Sequence, residues 1–420
     1  MPSDTDLAHA EAGELLGAPA GSARLTPLTH NPVNGVTGGV WTVSAGERSA
    51  VLKVLTRARR TDGAWAASDD PRHWNYWRRE AEVYTSGLAA HWQPYGIRAP
   101  RLLACVERPG GDLALWLEHV PGEPATAWPV ARHLEHLRRL GRAQGAAPPV
   151  DEPWLTRRFL RQYVGHNTLG QELLDDDEAW RQPLVRDRFP PGLRADMVRL
   201  HHDRDWFLDI MESLPRAFSH LDMWPANVRS SDGAEASGGP DASGGPEASG
   251  GRQAPGGRQA PGGRQAPGER EASYGAVASY GTESVVFDWA FAGDGALGED
   301  LGNYLPDTVF DLFLPAARLP EYAAAAYDAY LHGLRESGWR GDERLVRLAV
   351  CASAVKYDWL TARMLARAGE QQWDYGGERT VSPELRYHER GLTLAFLGRW
   401  AAEARALAPQ LGFPEAPSGR

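Results

Sequence analysis

The hydrophobic positions of the chain follow a strand-like pattern first and a helical pattern later. Residues 1–24 are rich in alanine, glycine and acidic residues, and we expect them to form a mobile arm or one short helix. Runs of β-branched and aromatic residues then predict strands at 40–43 and 49–55. Two further runs, 101–106 and 113–117, predict a hairpin. These runs together predict a small antiparallel sheet.

Helical spacing of apolar residues appears once between the strands and then dominates the chain. It predicts one helix over 74–87 and, after Pro121, a series of amphipathic helices. The candidates in that series are 128–146, 154–164, 170–181, 191–213, 321–337, 342–368 and 386–407. The predicted fold class is therefore α+β and bilobal, with a small antiparallel β lobe over 25–120 and a mostly helical lobe over 121–410.

A six-residue repeat interrupts the helical region between Ala236 and Glu271. Its units are ASGGPD, ASGGPE, ASGGRQ, APGGRQ, APGGRQ and APGERE. A short period can indicate a β-helix, but a β-helix must bury an apolar residue on each turn, and these units have none. Glycine, serine and proline without a hydrophobic face cannot offset the entropy of the chain. We therefore expect residues 231–282 to form a disordered insertion in the helical lobe.

Composition and charge restrict the class of partner. The 42% hydrophobic and 24% charged residues are ordinary for a globular protein. No apolar run is long enough for a membrane span and the N-terminus lacks the pattern of a signal peptide, so we expect a cytoplasmic protein. The net charge of -10 disfavours a nucleic-acid partner and is compatible with a cationic small molecule. Cys105 and Cys351 are expected to be buried free thiols.

The stretch from His220 to Asn227, with the sequence HLDMWPAN, carries the clearest chemical signal. It places the Asp222 carboxylate and the Asn227 amide on one predicted loop, and the short strand-like run 284–287 ends in a second carboxylate, Asp288. Kinase-type phosphoryl transfer uses such a base together with oxygen ligands for Mg²⁺. We predict that Asp222 deprotonates an acceptor hydroxyl, and that Asn227 and Asp288 hold Mg²⁺ against the phosphates of ATP.

Lys53 lies in the middle of the predicted strand 49–55, where a lysine is unfavourable unless it meets an anion or a carboxylate. It predicts a lysine that holds nucleotide phosphates, and an outward-facing surface lysine is the alternative. Glu80 on the following helix is the expected carboxylate partner of this lysine. Glu82 is the competing choice.

A glycine-rich segment precedes the first strong strand. Its glycines allow the backbone to approach a ligand closely, so its N–H groups could lie over phosphates. A plain hairpin turn is the alternative. The residues predicted to contribute are Asn34, Gly35, Gly38 and Gly39.

The predicted strand 113–117 runs into a turn between the two lobes. Backbone groups near Glu118 and Val120 could pair there with the edge of an adenine ring. This role needs the backbone rather than the side chains, so it is predicted only from the position of these residues between the two lobes.

Structural roles compete with chemical ones for the polar residues of the helical lobe. Asp222 could be an N-cap or turn aspartate, and His220 is expected to brace its loop rather than to take part in catalysis. Asp300 is predicted to cap the helix that follows it.

These features together resemble the aminoglycoside phosphotransferase family, whose fold is related to that of protein kinases. The resemblance covers about residues 25–305, and the helical tail to about 407 fits the helical lobe of the family. It rests on Lys53, on Trp77-Arg-Arg-Glu80, on Leu115-Trp-Leu-Glu118 before Pro-Gly, on the loop 220–227, on Asp288-Trp289 and on Gly298-Glu-Asp-Leu301.

The resemblance implies a protein-kinase-like fold with Asp222 as catalytic base, Asn227 and Asp288 as Mg²⁺ ligands, and Lys53 paired with Glu80 on the α- and β-phosphates. The chain departs from the family where Leu221 replaces a glycine and Met-Trp-Pro stands in the middle of the loop. A bulkier loop of this kind would shape an unusual acceptor pocket.

The predicted function is ATP-dependent transfer of the γ-phosphate to a hydroxyl of a small molecule, either aminoglycoside-like or another hydroxylated metabolite or antibiotic. A nucleotide-binding pseudoenzyme or scaffold is the alternative, but all four polar roles are filled. A protein kinase is disfavoured because no Ala-Pro-Glu element follows Asp288. The acceptor and the oligomeric state stay open.

Overall fold

A computed structural model of the protein describes residues 4–19, 21–31, 33–57, 63, 65–231, 283–373 and 380–417. Within these residues the predicted α+β, bilobal architecture is confirmed, because an antiparallel sheet forms the N-terminal part and helices form most of the remainder. The repeat expected to be disordered lies outside the described residues.

The strands of the described chain have at most four residues, except for four strands in the N-terminal sheet. They are β1 (Arg24–Pro27), β2 (Thr37–Ala45), β3 (Arg48–Leu55), β4 (Ile97–Arg98), β5 (Leu102–Glu107), β6 (Leu113–Glu118), β7 (Arg216–Ser219), β8 (Val228–Ser230), β9 (Ser284–Val286), β10 (Gly293–Ala296), β11 (Gln372–Trp373) and β12 (Thr380–Val381).

The helices lie mostly in the second lobe. They are α1 (Asp4–Leu16), α2 (Arg79–Thr85), α3 (Val130–Ala146), α4 (Phe159–His166), α5 (Asp177–Arg181), α6 (Pro183–Arg188), α7 (Leu193–His202), α8 (Arg204–Ser213), α9 (Glu299–Phe310), α10 (Leu319–Glu336), α11 (Glu343–Ala352), α12 (Asp358–Ala366) and α13 (Pro383–Gln410). None of the helices in the described ranges is both long and apolar enough to cross a membrane.

The N-terminal sheet has the strand order β1-β2-β3-β6-β5 and is antiparallel throughout. Successive side chains of β3 point to opposite faces. Leu52 and Val54 pack with α1 on one face, while Leu55 joins the larger core on the other. Because both faces are covered, β6 is a continuous apolar run rather than an alternating one. Lys53 therefore points to the same face as Leu55.

Helix α1 shows that the short-helix alternative, rather than a mobile arm, holds for residues 4–16. Ala8, Ala12 and Leu16 recur every four residues and are buried against the sheet. The Glu11 carboxylate, half-buried beneath them, accepts hydrogen bonds from Arg108 (Nε, 2.9 Å; Nη2, 2.8 Å) and from Nε1 of Trp116 (2.7 Å). The predicted arm is thus anchored to the sheet by apolar burial and a buried ion pair.

Tertiary contacts divide several helices that the periodicity predicted to be continuous. The segment 191–213 breaks at Asp203, whose carboxylate accepts a 2.6 Å hydrogen bond from Arg405 of α13. The segment 342–368 contains the 3₁₀ turn Ser353–Tyr357 between α11 and α12. The apolar spacing from Trp74 also overestimates α2, which begins only at Arg79.

Both cysteines are free, as predicted, although Cys105 is only half-buried whereas Cys351 is buried.

Candidate active site

Two strands of the second lobe bring the predicted catalytic residues together. Strand β8 directly follows Asn227, and β9 precedes Asp288 by one residue. The two strands pair antiparallel, with Val228 opposite Val286, and the Phe287 N–H donates to the Asn227 carbonyl (2.9 Å). The repeat is therefore inserted between two paired strands, which keeps the two loops adjacent whatever the length of the insertion.

Asp222 and Asn227 are in direct contact, as the loop spacing predicts. The Asn227 amide Nδ2 donates to the Asp222 carbonyl (3.0 Å) and to its carboxylate Oδ2 (3.2 Å). This arrangement orients the half-buried carboxylate through Nδ2 of the asparagine, and Oδ1 is the atom predicted to bind the metal. Burial raises the pKa of Asp222, and the positive charge of Lys356 opposes that rise.

His220 braces this loop. Its Nδ1 accepts from the Asp222 N–H (3.3 Å), so Nε2 carries the proton and donates to the Phe287 carbonyl (2.8 Å). Burial lowers the pKa of His220, which favours the neutral ring that both contacts require. The histidine therefore links the Asp222 loop to the Asp288 loop.

Asp300 does not cap α9, contrary to the sequence prediction. It is the second residue of that helix, whose N-cap is Gly298, and its buried carboxylate contacts the loop 220–227. It accepts hydrogen bonds from the N–H groups of His220 (2.9 Å) and Leu221 (2.7 Å) and from Nε2 of Gln144 (2.9 Å). The aspartate thus holds the backbone that carries Asp222.

Leu221 occupies a left-handed conformation, with φ of 63°. For a residue with a Cβ this conformation costs about 1–2 kcal/mol, and the two backbone bonds to Asp300 in this loop offset that cost. Space for the side chain comes from β10, where a Cβ at Gly293 or Gly295 would lie 2.9 or 2.7 Å from Leu221 methyl groups. Gly293 and Gly295 on the neighbouring strand β10 thus leave the space that the Leu221 side chain of this bulkier loop needs.

Asp300 predicts a pH dependence of stability. Burial raises its pKa to about 7, whereas an ordinary aspartate in the unfolded chain has the value 3.8. Between pH 3.8 and about 7, Asp300 is protonated in the folded state but ionised in the unfolded state. The contribution of Asp300 to stability is therefore present at low pH and is lost as the pH rises through about 7. The free energy of unfolding, measured with urea at about pH 5 and about pH 8, should decrease more between these two pH values for the wild type than for Asp300→Asn. Parallel pH profiles for the two proteins would contradict this assignment.

Lys53 is the centre of a buried charge cluster. Its Nζ lies 2.5 Å from Oε2 of Glu80 and 2.7 Å from Oδ1 of Asp288. Burial alone would lower the pKa of Lys53, but the two carboxylates outweigh it and raise the pKa. An ion pair between a lysine of the third strand and a glutamate of the adjacent helix is the arrangement found in protein kinases. Glu80, and not Glu82, makes this contact.

Asp288 stands where a metal ligand is expected. Its backbone is left-handed (φ 59°), and its side chain is 43% exposed although Lys53 contacts one oxygen. Burial alone would raise the pKa of this carboxyl, but Lys53 lowers it below the ordinary value, so it is ionised. Its second oxygen and Oδ1 of Asn227 are hard oxygen donors of the kind that Mg²⁺ prefers, and their role as metal ligands stays a prediction. Within the described ranges, no group of three or more histidine, cysteine or acidic side chains forms a closed metal cage.

The glycine-rich segment matches the prediction only in part. The Gly35 N–H donates to the Trp65 carbonyl (2.8 Å), and the Asn34 side chain accepts from the Val36 N–H (3.3 Å). These two residues shape the loop, and the Gly35 N–H is not available to a phosphate in this conformation. Gly38 and Gly39 lie at the start of β2, where its pairing with β3 shifts register.

The connection between the lobes keeps one backbone donor available. The Glu118 N–H donates to the Arg101 carbonyl (2.9 Å), and its carboxylate pairs with Arg98 (2.8 Å), so this residue fixes the end of β6. The Val120 N–H has no partner among the described residues. The pairing of Val120 with the edge of an adenine ring stays a prediction.

Arg79 is a buried residue of the site that we did not predict. It is fully buried and forms no ion pair within the described part of the chain. Its five N–H groups donate to five carbonyl oxygens, those of Trp154, Trp74, Ala290, Pro71 and His73. Burial lowers its pKa to about 9. Since Arg79 precedes Glu80 and reaches Ala290, it couples α2 to the Asp288 loop.

Comparisons by sequence find no relative. No protein-family model matches the chain, and no curated protein sequence matches it significantly.

Comparison by structure finds small-molecule kinases. Amicoumacin kinase in complex with AMP-PNP, Ca²⁺ and Ami has a TM-score of 0.46 and 14% identity, over 96% of this chain and 93% of that chain. The microcompartment-associated aminopropanol kinase has a TM-score of 0.47 and 13% identity, over 96% and 98%. An aminoglycoside-3'-phosphotransferase of type VIII has a TM-score of 0.42 and 16% identity, over 85% and 100%.

These three solved structures are kinases or phosphotransferases by their descriptions.

Proposed function

We propose that the protein is an ATP-dependent phosphotransferase that moves the γ-phosphate to a hydroxyl of a small molecule. The observation that carries the proposal is the convergence of Lys53, Asp288, Asn227 and Asp222 at one site between the lobes. Lys53 touches Asp288, Asn227 touches Asp222, and His220 joins their two loops. This set contains a phosphate-binding cation, two oxygen ligands and a base.

Each residue has one task in the reaction. Lys53 is held by Glu80 and binds the α- and β-phosphates of the nucleotide. Mg²⁺ bound by Asn227 and Asp288 would neutralise the phosphate charge. The Asp222 carboxylate accepts the proton of the acceptor hydroxyl, and its raised pKa makes it a better base.

The pseudoenzyme alternative is less well supported. A scaffold that only binds nucleotide has no need of an oriented carboxylate. Here Asn227 and His220 both contact Asp222, and Asp300 holds the backbone of its loop. Such support of one carboxylate favours a catalytic role.

We propose that the acceptor is cationic. We also propose that the protein is cytoplasmic. The net charge of -10 would attract a positively charged small molecule and repel nucleic acid.

The test is phosphoryl transfer from Mg-ATP to a panel of hydroxylated compounds that includes amino alcohols, aminoglycosides and neutral sugars. The new phosphate ester is detected by ³¹P NMR and product mass. The proposal expects transfer to at least one amine-bearing acceptor. Nucleotide binding without transfer to any member of a broad panel would favour the scaffold.

Asp288→Asn should weaken the use of Mg²⁺, because an amide is a poorer ligand than a carboxylate for a hard dication. The variant should need more Mg²⁺ for half-maximal rate, and added Mg²⁺ should restore part of kcat. Titration of the transfer rate with Mg²⁺ measures this requirement, with Asp294→Asn on β10 as the matched control. An unchanged Mg²⁺ requirement would remove Asp288 from the metal site.

A further inference from the structure

Strand β4 joins the chain of the first lobe to the small sheet that carries the predicted metal ligands. It pairs parallel with β9, with Arg98 opposite Val285, and the strand order of that sheet is β4-β9-β8. Strand β9 leads to Asp288, and β8 directly follows Asn227. Because backbone pairing fixes the distance between neighbouring strands, β4 keeps a set position relative to both predicted metal ligands.

The Arg98 side chain extends this link to the connection between the lobes, residues 118–124. Its Nη1 and Nη2 donate to the two carboxylate oxygens of Glu118, the last residue of β6 (2.8 and 3.1 Å). Its Nε lies 3.4 Å from Oε2 of Glu283, the residue that precedes β9. The Arg98 side chain is only 17% exposed. A bidentate pair between a guanidinium and a carboxylate fixes orientation as well as distance, so Arg98 holds the end of β6 against β9.

Glu118 is itself held in place by backbone contacts. Its Oε2 also accepts from the Arg101 N–H (3.0 Å), and its own N–H donates to the Arg101 carbonyl (2.9 Å). Burial alone would raise the pKa of Glu118, but the hydrogen bonds from Arg98 and from the Arg101 N–H lower it, so the carboxylate is ionised. Val120, the residue predicted to meet an adenine ring, follows two positions later. The pair of Arg98 with Glu118 therefore acts directly beside the predicted base site.

Strand β8 is attached to the same connection between the lobes. Arg229 of β8 donates to the Gly122 carbonyl (3.0 Å). The Ser230 N–H donates to the Glu123 carbonyl (3.0 Å), and the Glu123 N–H donates to Oγ of Ser230 (2.9 Å). A Cβ on Gly122 would lie 1.8 Å from the Ser230 carbonyl oxygen, so this close approach requires glycine. Both strands that carry predicted metal ligands are thus tied to the connection where the base is predicted to bind.

We propose that Arg98 is a positioning residue that holds the base site at a fixed distance from the metal site, so that one nucleotide engages both sites at once. This inference rests on the nucleotide and metal sites of the proposed function and adds the residue that sets their separation. A ligand that binds two subsites gains affinity from the second only when their separation matches its own length. The link to β8 includes a backbone hydrogen bond, whereas the link to β9 runs through the guanidinium of Arg98 and can be removed by substitution.

The experiment compares Arg98→Met with wild type for three ligands, which are adenosine, Mg-tripolyphosphate and Mg-AMP-PNP. Adenosine occupies only the base site and tripolyphosphate only the phosphate and metal site, whereas AMP-PNP spans both. We expect the Kd of Mg-AMP-PNP, measured by calorimetry, to rise by about tenfold in the variant. The Kd of each of the other two ligands should change by less than about twofold, because each subsite keeps its own contacts and only their fixed separation is lost.

Arg101→Met is the matched control. The Arg101 Nε approaches the same Glu118 carboxylate at 3.7 Å, but its side chain is 77% exposed. This substitution removes a cation beside Glu118 without cutting the link to β9, so all three Kd values should stay unchanged. Arg98→Lys keeps the charge but cannot reproduce the planar fork, so it should recover only part of the affinity for Mg-AMP-PNP. Melting temperatures verify that each variant is folded, and Arg98→Lys replaces Arg98→Met in the comparison if the latter is not.

Two results overturn the role of Arg98. An unchanged Kd for Mg-AMP-PNP in the folded variant would show that the contact with Glu118 is an ordinary ion pair of little consequence. Equal weakening of all three ligands would indicate a general loosening of the fold instead of a lost separation between two intact subsites.

The two proposals fail differently. Transfer by the wild type together with an unchanged Kd for Mg-AMP-PNP in Arg98→Met overturns the role of Arg98 and leaves the proposed function intact. Binding of Mg-AMP-PNP by the wild type without transfer to any acceptor overturns the proposed function, while the role of Arg98 is still decided by the three Kd values. Absence of Mg-AMP-PNP binding by the wild type overturns both.

Discussion

Asp222→Asn is expected to lower kcat by about 10²–10⁴-fold while the protein stays folded and binds ATP. Asparagine has the shape of aspartate and can still accept a hydrogen bond from the Asn227 amide, but it cannot take the proton of the acceptor hydroxyl. The measurement is kcat for phosphoryl transfer together with ATP affinity by calorimetry. Asp328→Asn, at an exposed position of α10, is the matched control.

The outcome distinguishes a base from a structural aspartate. If Asp222 only shapes its loop, the asparagine variant keeps most of its transfer rate, because the loop contacts survive. Loss of kcat and of ATP binding together would indicate that the whole loop has collapsed, and it would contradict a role limited to proton transfer.

Arg79→Met is expected to lower the free energy of unfolding by about 3–5 kcal/mol. Methionine fills similar space but leaves five carbonyl oxygens without their donors, and three of the five lost hydrogen bonds are buried. Any folded fraction should also show a higher KM for ATP, because Arg79 fixes α2 and thereby Glu80. Urea unfolding and steady-state kinetics measure the two effects.

The neighbouring arginine provides the control. Arg78 is half-buried and stacks over Trp77 at 4.9 Å, so Arg78→Met should cost about 1 kcal/mol or less. Similar losses from the two variants would show that the five carbonyl contacts of Arg79 contribute little.

The predicted strands, the hairpin and most helices lie where the sequence pattern places them, because burial of one or both faces dictates the spacing of apolar residues. The pairing of Lys53 with Glu80 could also be predicted from the sequence. A lysine inside an apolar strand needs a carboxylate, and the first turn of the adjacent helix offers it. The contact of Asp222 with Asn227 also follows from local spacing, since five residues on a tight loop cannot separate far.

Other features of the site depend on contacts between distant segments, which no local pattern records. Asp300 binds the loop 220–227 instead of capping its own helix because the fold brings backbone donors to it from eighty positions away. The Gly35 N–H is used by Trp65, so part of the predicted phosphate loop is occupied. Arg79 was missed because a buried arginine satisfied by carbonyl groups has no motif.

Lys356 shows the difference between what the sequence indicates and what only the tertiary structure decides. Lys53 and Lys356 are the only lysines of the chain, and this scarcity is visible in the sequence and could have singled out Lys356. Its position 3.8 Å from the Asp307 carboxylate is not visible there, because it depends on the 3₁₀ turn that interrupts a helix predicted to be continuous. Local periodicity thus determined the elements and the short-range pairs of this protein. Only the tertiary structure decided which buried polar groups meet, because each must find its partner wherever the packed chain provides one.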